Sequence, residues 1–117
     1  MPVYRLDWTS PPLTENQRLH WALKGRVTKD VRLTGKLLAA RLGRQERVEV
    51  TLTWFVPNHR KRDEDNVVPT LKALCDGLVD AGVVPDDTRR FMVKNMPVIT
   101  VVPGCVPYMQ LEVTPLT

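Results

Sequence analysis

Cysteine is scarce in this chain: Cys75 and Cys105 are the only two among 117 residues. They lie too far apart to form a metal knuckle, and neither has a histidine beside it. Reduced thiols in a cytoplasmic protein are the expected state, with Cys75 packed as a small core residue. Long apolar runs are missing too. No stretch approaches the ~18 consecutive apolar residues of a membrane span, so no membrane partner is expected. Residues 1–10 lack the basic start and apolar block of a signal peptide. There is no internal repeat and no low-complexity tract. Acid is in short supply in the first half, where residues 1–62 hold 13 Lys/Arg against 5 Asp/Glu. Residues 63–117 reverse this, with 4 against 8.

The hydrophobic fraction of 43% suffices for a single core, and one domain is expected over residues 1–117. Val3 to Trp8 alternates as a strand and stops at Ser10-Pro11-Pro12. Residues 13–27 show no clean period and read as a long basic loop with extended segments. From Thr28 to Leu42, the apolar positions Val31, Leu37, Leu38, Ala40 and Leu42 predict an amphipathic helix, with Gly43 as its stop. Arg47 to Val56 is the clearest strand: Val48, Val50, Leu52, Trp54 and Val56 face one way. Pro69 suits the first turn of a second helix, buried along Leu71, Leu74, Cys75 and Leu78 and ended by Gly82. Phe91–Val102 and Tyr108–Thr114 read as two strands joined by a Pro103-Gly104 turn. The fold class is therefore α+β, a small mixed or antiparallel sheet with two packed helices.

The basic half suits a polyanion, through phosphate neutralisation and counterion release. The carboxylates that follow repel phosphate unless a cation lies between them. Asp63 and Asp65 are two apart, and in extended backbone such side chains point the same way, so both can meet one ion. A hard cation such as Mg²⁺ takes one or two carboxylates plus waters and phosphate oxygens. The plainer reading is that Asp63-Glu64-Asp65-Asn66 and Asp86-Asp87 are two solvated turns. A calcium loop fails, because Val67 occupies a ligand position and the required glycine is absent. Lys72, Asp76 and Asp80 recur every four residues. They form either exposed ion pairs or, at Lys72, a cation placed to stabilise charge developing on phosphoryl oxygens. Asn16, His20, Trp21, Lys24, Arg26 and Lys29 read as a DNA-backbone loop in which His20 either contacts DNA or is a capping or surface histidine, and Trp21 either stacks on a base or packs in the core. Arg60, Lys61 and Arg62 directly precede Asp63 and add three cations there.

Four segments in order resemble the RusA family of Holliday junction resolvases of bacteria and their phages. They are Arg60-Lys61-Arg62-Asp63-Glu64-Asp65-Asn66, Lys72-Ala73-Leu74-Cys75-Asp76-Gly77-Leu78, Ala81-Gly82-Val83-Val84-Pro85-Asp86-Asp87 and Lys94-Asn95-Met96-Pro97-Val98. Pro11-Pro12 with Asn16 further on is similar to the family's opening. The resemblance implies that Asp63, Asp65 and Asp87, with Asp86 as an alternative, bind Mg²⁺ or Mn²⁺, and that Lys72 is the catalytic lysine. It further implies hydrolysis of four-way DNA junctions and a homodimer, with no small-molecule cofactor. Two departures stand out. The step from Asp65 to Lys72 is three residues longer than in the best-known member. After Asp87, Thr88-Arg89-Arg90 is shorter and more basic than the pattern. Other expectations compatible with these residues are a branched-DNA binder that does not cut and a nuclease preferring flaps or forks.

Overall fold

The computed structural model describes residues 2–15, 18 and 20–116. Eight elements follow in order: strand β1 (Val3–Leu6), helix α1 (Trp21–Ala39), strand β2 (Arg47–Val56), a short 3-10 helix (Glu64–Val67), helix α2 (Val68–Asp80), and strands β3 (Met92–Lys94), β4 (Val98–Val101) and β5 (Tyr108–Leu116). The expected α+β class holds, and the sheet is mixed. β2 is central, antiparallel to β5 along one edge and parallel to β3 and β4 along the other; β1 closes the far side of β5. Parallel neighbours need a crossover, and α2 supplies it between β2 and β3.

The alternation expected of β2 is observed, with Val48, Val50, Leu52 and Val56 buried. Val48, Val50 and Leu52 meet Met92, Met109, Leu111 and Val113 from the neighbouring strands and Leu71, Leu74, Cys75 and Leu78 from α2 in one apolar cluster. Burial pushes the Cys75 thiol up to about 12, which makes it a packing group and not a nucleophile. Pro69 lies in the first turn of α2, and Gly82, at φ 78°, follows its end. No helix among the described residues is long and apolar enough to cross a membrane.

Three expectations about the elements are corrected. First, residues 21–27 are not loop, because α1 begins at Trp21 and ends at Ala39, three residues short of Leu42. Its N-cap is His20, whose Nδ1 accepts from the Ala22 N–H at 3.2 Å. Second, the stripe expected of α1 holds only in part: Val31 is buried and Leu38 and Leu42 are half-buried against the core, but Leu37 and Ala40 are exposed. Leu37 is 65% exposed, and the covered stripe is Val31, Gly35 and Ala39. Small residues are needed there because α1 crosses α2 at close range. A Cβ on Gly35 would stand 2.5 Å from the Leu74 carbonyl oxygen, and one on Gly77 would overlap the carbonyl of Arg32. Third, Phe91–Val102 is not one strand. Val50 pairs with Lys94 and Thr53 with Val98, so three residues (Asn95, Met96, Pro97) oppose two on β2. That single extra residue is a bulge, placed where Pro97 has no N–H to offer the ladder. The Pro103-Gly104 turn does join the last two strands, but β4 and β5 lie on opposite sides of β2 and do not pair with each other.

Candidate functional site

Two short-range devices hold the chain around the start of α2. Thr70 is fully buried; its hydroxyl donates to the Leu13 carbonyl at 2.7 Å and accepts the Leu13 N–H at 3.1 Å. This fastens the segment before α1 onto the first turn of α2. The Trp54 indole N–H donates to the Thr9 carbonyl at 3.1 Å and ties the same segment to β2.

Asp63 keeps extended backbone (φ −105°, ψ 129°), but Glu64–Val67 turns into a 3-10 helix, so the two-residue extended geometry expected for Asp63 and Asp65 is not what relates them. Both nonetheless line one open recess, together with Asn66 and Glu15. The Asp63 side chain makes no capping bond, which leaves its carboxylate oxygens free of the helix end. Asp63 and Asn66 also line a second recess, of about 390 Å³, with Lys61, Arg62 and Trp54. Arg62 is spent largely on its own loop, donating to the Asn58 carbonyl at 2.9 Å and its side-chain oxygen at 3.0 Å, while its guanidinium lies 5.4 Å from the Trp54 ring. Arg60 and Lys61 are exposed.

A third recess, of about 220 Å³, adjoins the acidic one across Val68 and is lined by Lys72 and Lys94. Between those lysines stands Asp87. Its Oδ2 accepts from Lys94 Nζ at 3.3 Å and lies 3.8 Å from Lys72 Nζ. Lys72 Nζ also lies 3.9 Å from Asp76. Burial pushes the Asp87 carboxyl up, but the Lys94 hydrogen bond and the two lysine charges outweigh it and hold the group below the usual carboxylate range. Asp86 is exposed and its Oδ1 accepts the Asp87 N–H at 2.8 Å. The lysine-facing carboxylate of the pair is therefore Asp87.

The four carboxylates Asp63, Asp65, Asp86 and Asp87 do not come together as one group. Among the described residues, no three His, Cys, Asp or Glu side chains are gathered as metal ligands. Asp87 is instead compensated by two ammonium groups, and the Asp86 Oδ1 is turned onto backbone. Asp63 and Asp65, with the Asn66 amide beside them, still meet the needs of a hard cation, since two carboxylates completed by waters suffice.

Asp80 leaves the stripe it was expected to share with Lys72 and Asp76. Eight residues along an α-helix advance about 80° beyond two full turns, and that rotation turns Asp80 toward α1. There it takes a two-pronged contact from Arg32, at 2.5 and 2.8 Å. His20 and the cations Lys24, Arg26 and Lys29 lie exposed on or at the start of α1 and not on a loop, and Trp21 is 80% exposed, which excludes it from the core. Asn16 lies outside the described residues. Sequence reasoning missed Lys94 as a site residue. The signal was there in period two, since Lys94 shares phase with buried Met92 and pairs with Val50 on the helix-covered face. It missed Glu15 too, which lines the same recess as Asp63 and follows the Leu13 tethered to Thr70.

No family model matches the chain. Among curated proteins, it is similar to an uncharacterized protein of Xylella fastidiosa, 29% identical over 99 residues. The match covers 79% of this chain and 63% of that protein, so the chain spans less than two thirds of the relative's length.

Proposed function

We propose that this protein is a divalent-metal-dependent, structure-selective endonuclease that hydrolyses phosphodiesters in branched DNA, with four-way junctions as the principal substrate. The observation that carries the reading is the row of three adjoining recesses at the start of α2: basic at Lys61 and Arg62, acidic at Asp63 and Asp65, and basic again at Lys72 and Lys94. A phosphate chain laid along such a row meets cations on both sides of a carboxylate pair. Asp63 and Asp65 would hold Mg²⁺ or Mn²⁺, which when bound supplies a water of lowered pKa and a Lewis acid for a phosphoryl oxygen. Lys72 sets positive charge where the leaving oxygen gains negative charge, and Lys94 holds Asp87 in place. The exposed Arg60 and Lys61 and the α1 cations Lys24, Arg26 and Lys29 contact backbone phosphates without reading sequence. Resolving a junction takes two nicks, which a two-fold homodimer would provide.

Purified protein should nick a synthetic four-way junction in Mg²⁺ and not in EDTA. Asp65→Asn should bind that junction and leave it uncut; normal cleavage by this variant overturns the metal-site assignment. A branched-DNA binder that does not cut is the second reading. It is favoured by the compensation of Asp87 by two lysines, which leaves that carboxylate paired without a metal. Binding without cleavage by the wild type, across junction, fork, flap and duplex, decides for it.

A further inference from the structure

A second basic surface, apart from Arg60–Arg62 in the sequence, is built from Arg44, Arg89 and Arg90. An open recess of about 440 Å³ is lined by Arg44, Gln45, Glu46, Pro85 and Phe91. Arg44 and Pro85 also line a smaller neighbouring recess beside Gly82. The Arg90 guanidinium lies 5.2 Å from the ring centre of Phe91, and Arg47 donates through Nη2 to the Arg89 carbonyl at 3.3 Å. Arg44 thus lines the concavity, and Arg89 and Arg90 directly precede Phe91 of its wall. All three are exposed. Among the described residues neither they nor Arg47 make an ion pair, although Glu46 shares the lining and Asp86 follows Pro85. The bonds that shape the surface are backbone ones: Gln45 N–H to the Val83 carbonyl at 2.6 Å and Val48 N–H to the Phe91 carbonyl at 2.9 Å. They fix where the arginines stand without consuming their charge.

We infer that this arginine-lined recess grips the phosphate backbone of the DNA arm that flanks the cleavage point. The inference rests on the nuclease reading above and adds to it a second contact surface. Guanidinium groups match phosphate oxygens in pairs, and the three exposed ones make a better phosphate clamp than lysines would. Position selects nucleic acid over an acidic protein. Pro85 lines the recess and Asp87 is two residues on, within roughly 8 Å along the chain. Duplex DNA carries one charge per about 1.7 Å of axis, so a strand held at Lys72 and Lys94, whose ammonium groups flank Asp87, brings neighbouring phosphates over the arginines.

The test is anisotropy of a labelled four-way junction in EDTA, where nothing is cut, titrated from about 50 to 200 mM NaCl. Arg44→Gln/Arg89→Gln/Arg90→Gln should flatten the slope of log K against log salt by about 2 to 3 and weaken binding at least tenfold at the low-salt end. Arg89→Gln alone should flatten it by about 1, which keeps the test open if the triple variant misfolds. Wild-type slope and affinity in both variants overturn the inference while leaving the nuclease reading untouched. Failure of the wild type to bind any DNA overturns both. Retention of the wild type on polyglutamate but not on the junction assigns the recess to an acidic protein and also overturns the inference.

Discussion

Replacing Gly77 with alanine should destabilise the protein, while the same replacement at Gly25 should stabilise it. Both positions are helical, so each gains up to ~1 kcal/mol of helix propensity from a methyl group. They differ in what the methyl meets. At Gly25 there is nothing within 4 Å, so the propensity gain stands alone at ~0.5–1 kcal/mol. At Gly77 the new Cβ overlaps the Arg32 carbonyl, and it stands 2.8 Å from the Lys36 nitrogen and 3.0 Å from the Gly35 Cα. All three are backbone atoms of α1, so no side chain can swing aside and the two helices must part. Overpacking of this kind costs ~1–3 kcal/mol, and a backbone-on-backbone overlap belongs at or above the upper end. Set against the propensity gain, about 2 kcal/mol of net loss remains. For a chain of this size that lowers Tm by about 8 °C, against a rise of about 2 to 4 °C for Gly25→Ala. Thermal melts followed by circular dichroism measure both. A Gly77→Ala protein that melts at or above the wild type would show that α1 and α2 do not cross this closely in solution. Gly35→Ala should behave like Gly77→Ala, and the double variant should lose less than the sum, because one separation of the helices relieves both overlaps.

Lys72→Met should reduce junction cleavage by about 10²–10³-fold with junction affinity nearly kept, as measured by single-turnover kinetics beside anisotropy. Thr70→Val should cost about 1–3 kcal/mol in urea denaturation, since it strands the buried Leu13 N–H and carbonyl; Thr70→Ser should restore most of it. Asp80→Asn should lower stability at neutral pH through loss of the Arg32 contact. The hydrogen bond from Arg32 lowers the Asp80 pKa in the folded state, so the contribution is complete above the unfolded carboxyl value and fades as pH falls through the folded one. Urea midpoints of wild type and Asp80→Asn should therefore converge below about pH 4; a gap that persists in acid would remove the ion pair as its cause.

The parts legible in the sequence were those whose local pattern and tertiary role agree. β2 alternates and is half covered; α2 opens at Pro69, buries one stripe and is followed by Gly82. The start of α1 was hidden because its cap is a histidine, outside the usual Ser, Thr, Asp and Asn, and its first turn carries no acid. Its buried face was legible only in part, because hydrophobicity picks out leucines, whereas the crossing with α2 selects for small volume at Gly35 and Ala39. Asp63 and Asp65 were found as a pair from spacing, though the turn that joins them is 3-10 and not extended. Glu15 was beyond local pattern, since the segment it follows is anchored at Leu13 by a hydroxyl 57 residues away in sequence. The Asp87–Lys94 contact needed the register of β3 on β2, which no single-strand pattern encodes.

That register makes the edge of the sheet a ruler for the chemistry. Side chains on a strand swap faces with each residue, so a slip of β3 by one position would withdraw the Lys94 ammonium and offer Val93 or the Asn95 amide instead. The one-residue insertion at Asn95–Pro97 guards against this. Asn95 locks to Glu49 at 3.2 Å and Thr51 at 2.9 Å on the opposite face, and any slide along β2 must break both. Damage to this small latch would silence the lysine–carboxylate pair while leaving every acidic and basic side chain chemically intact.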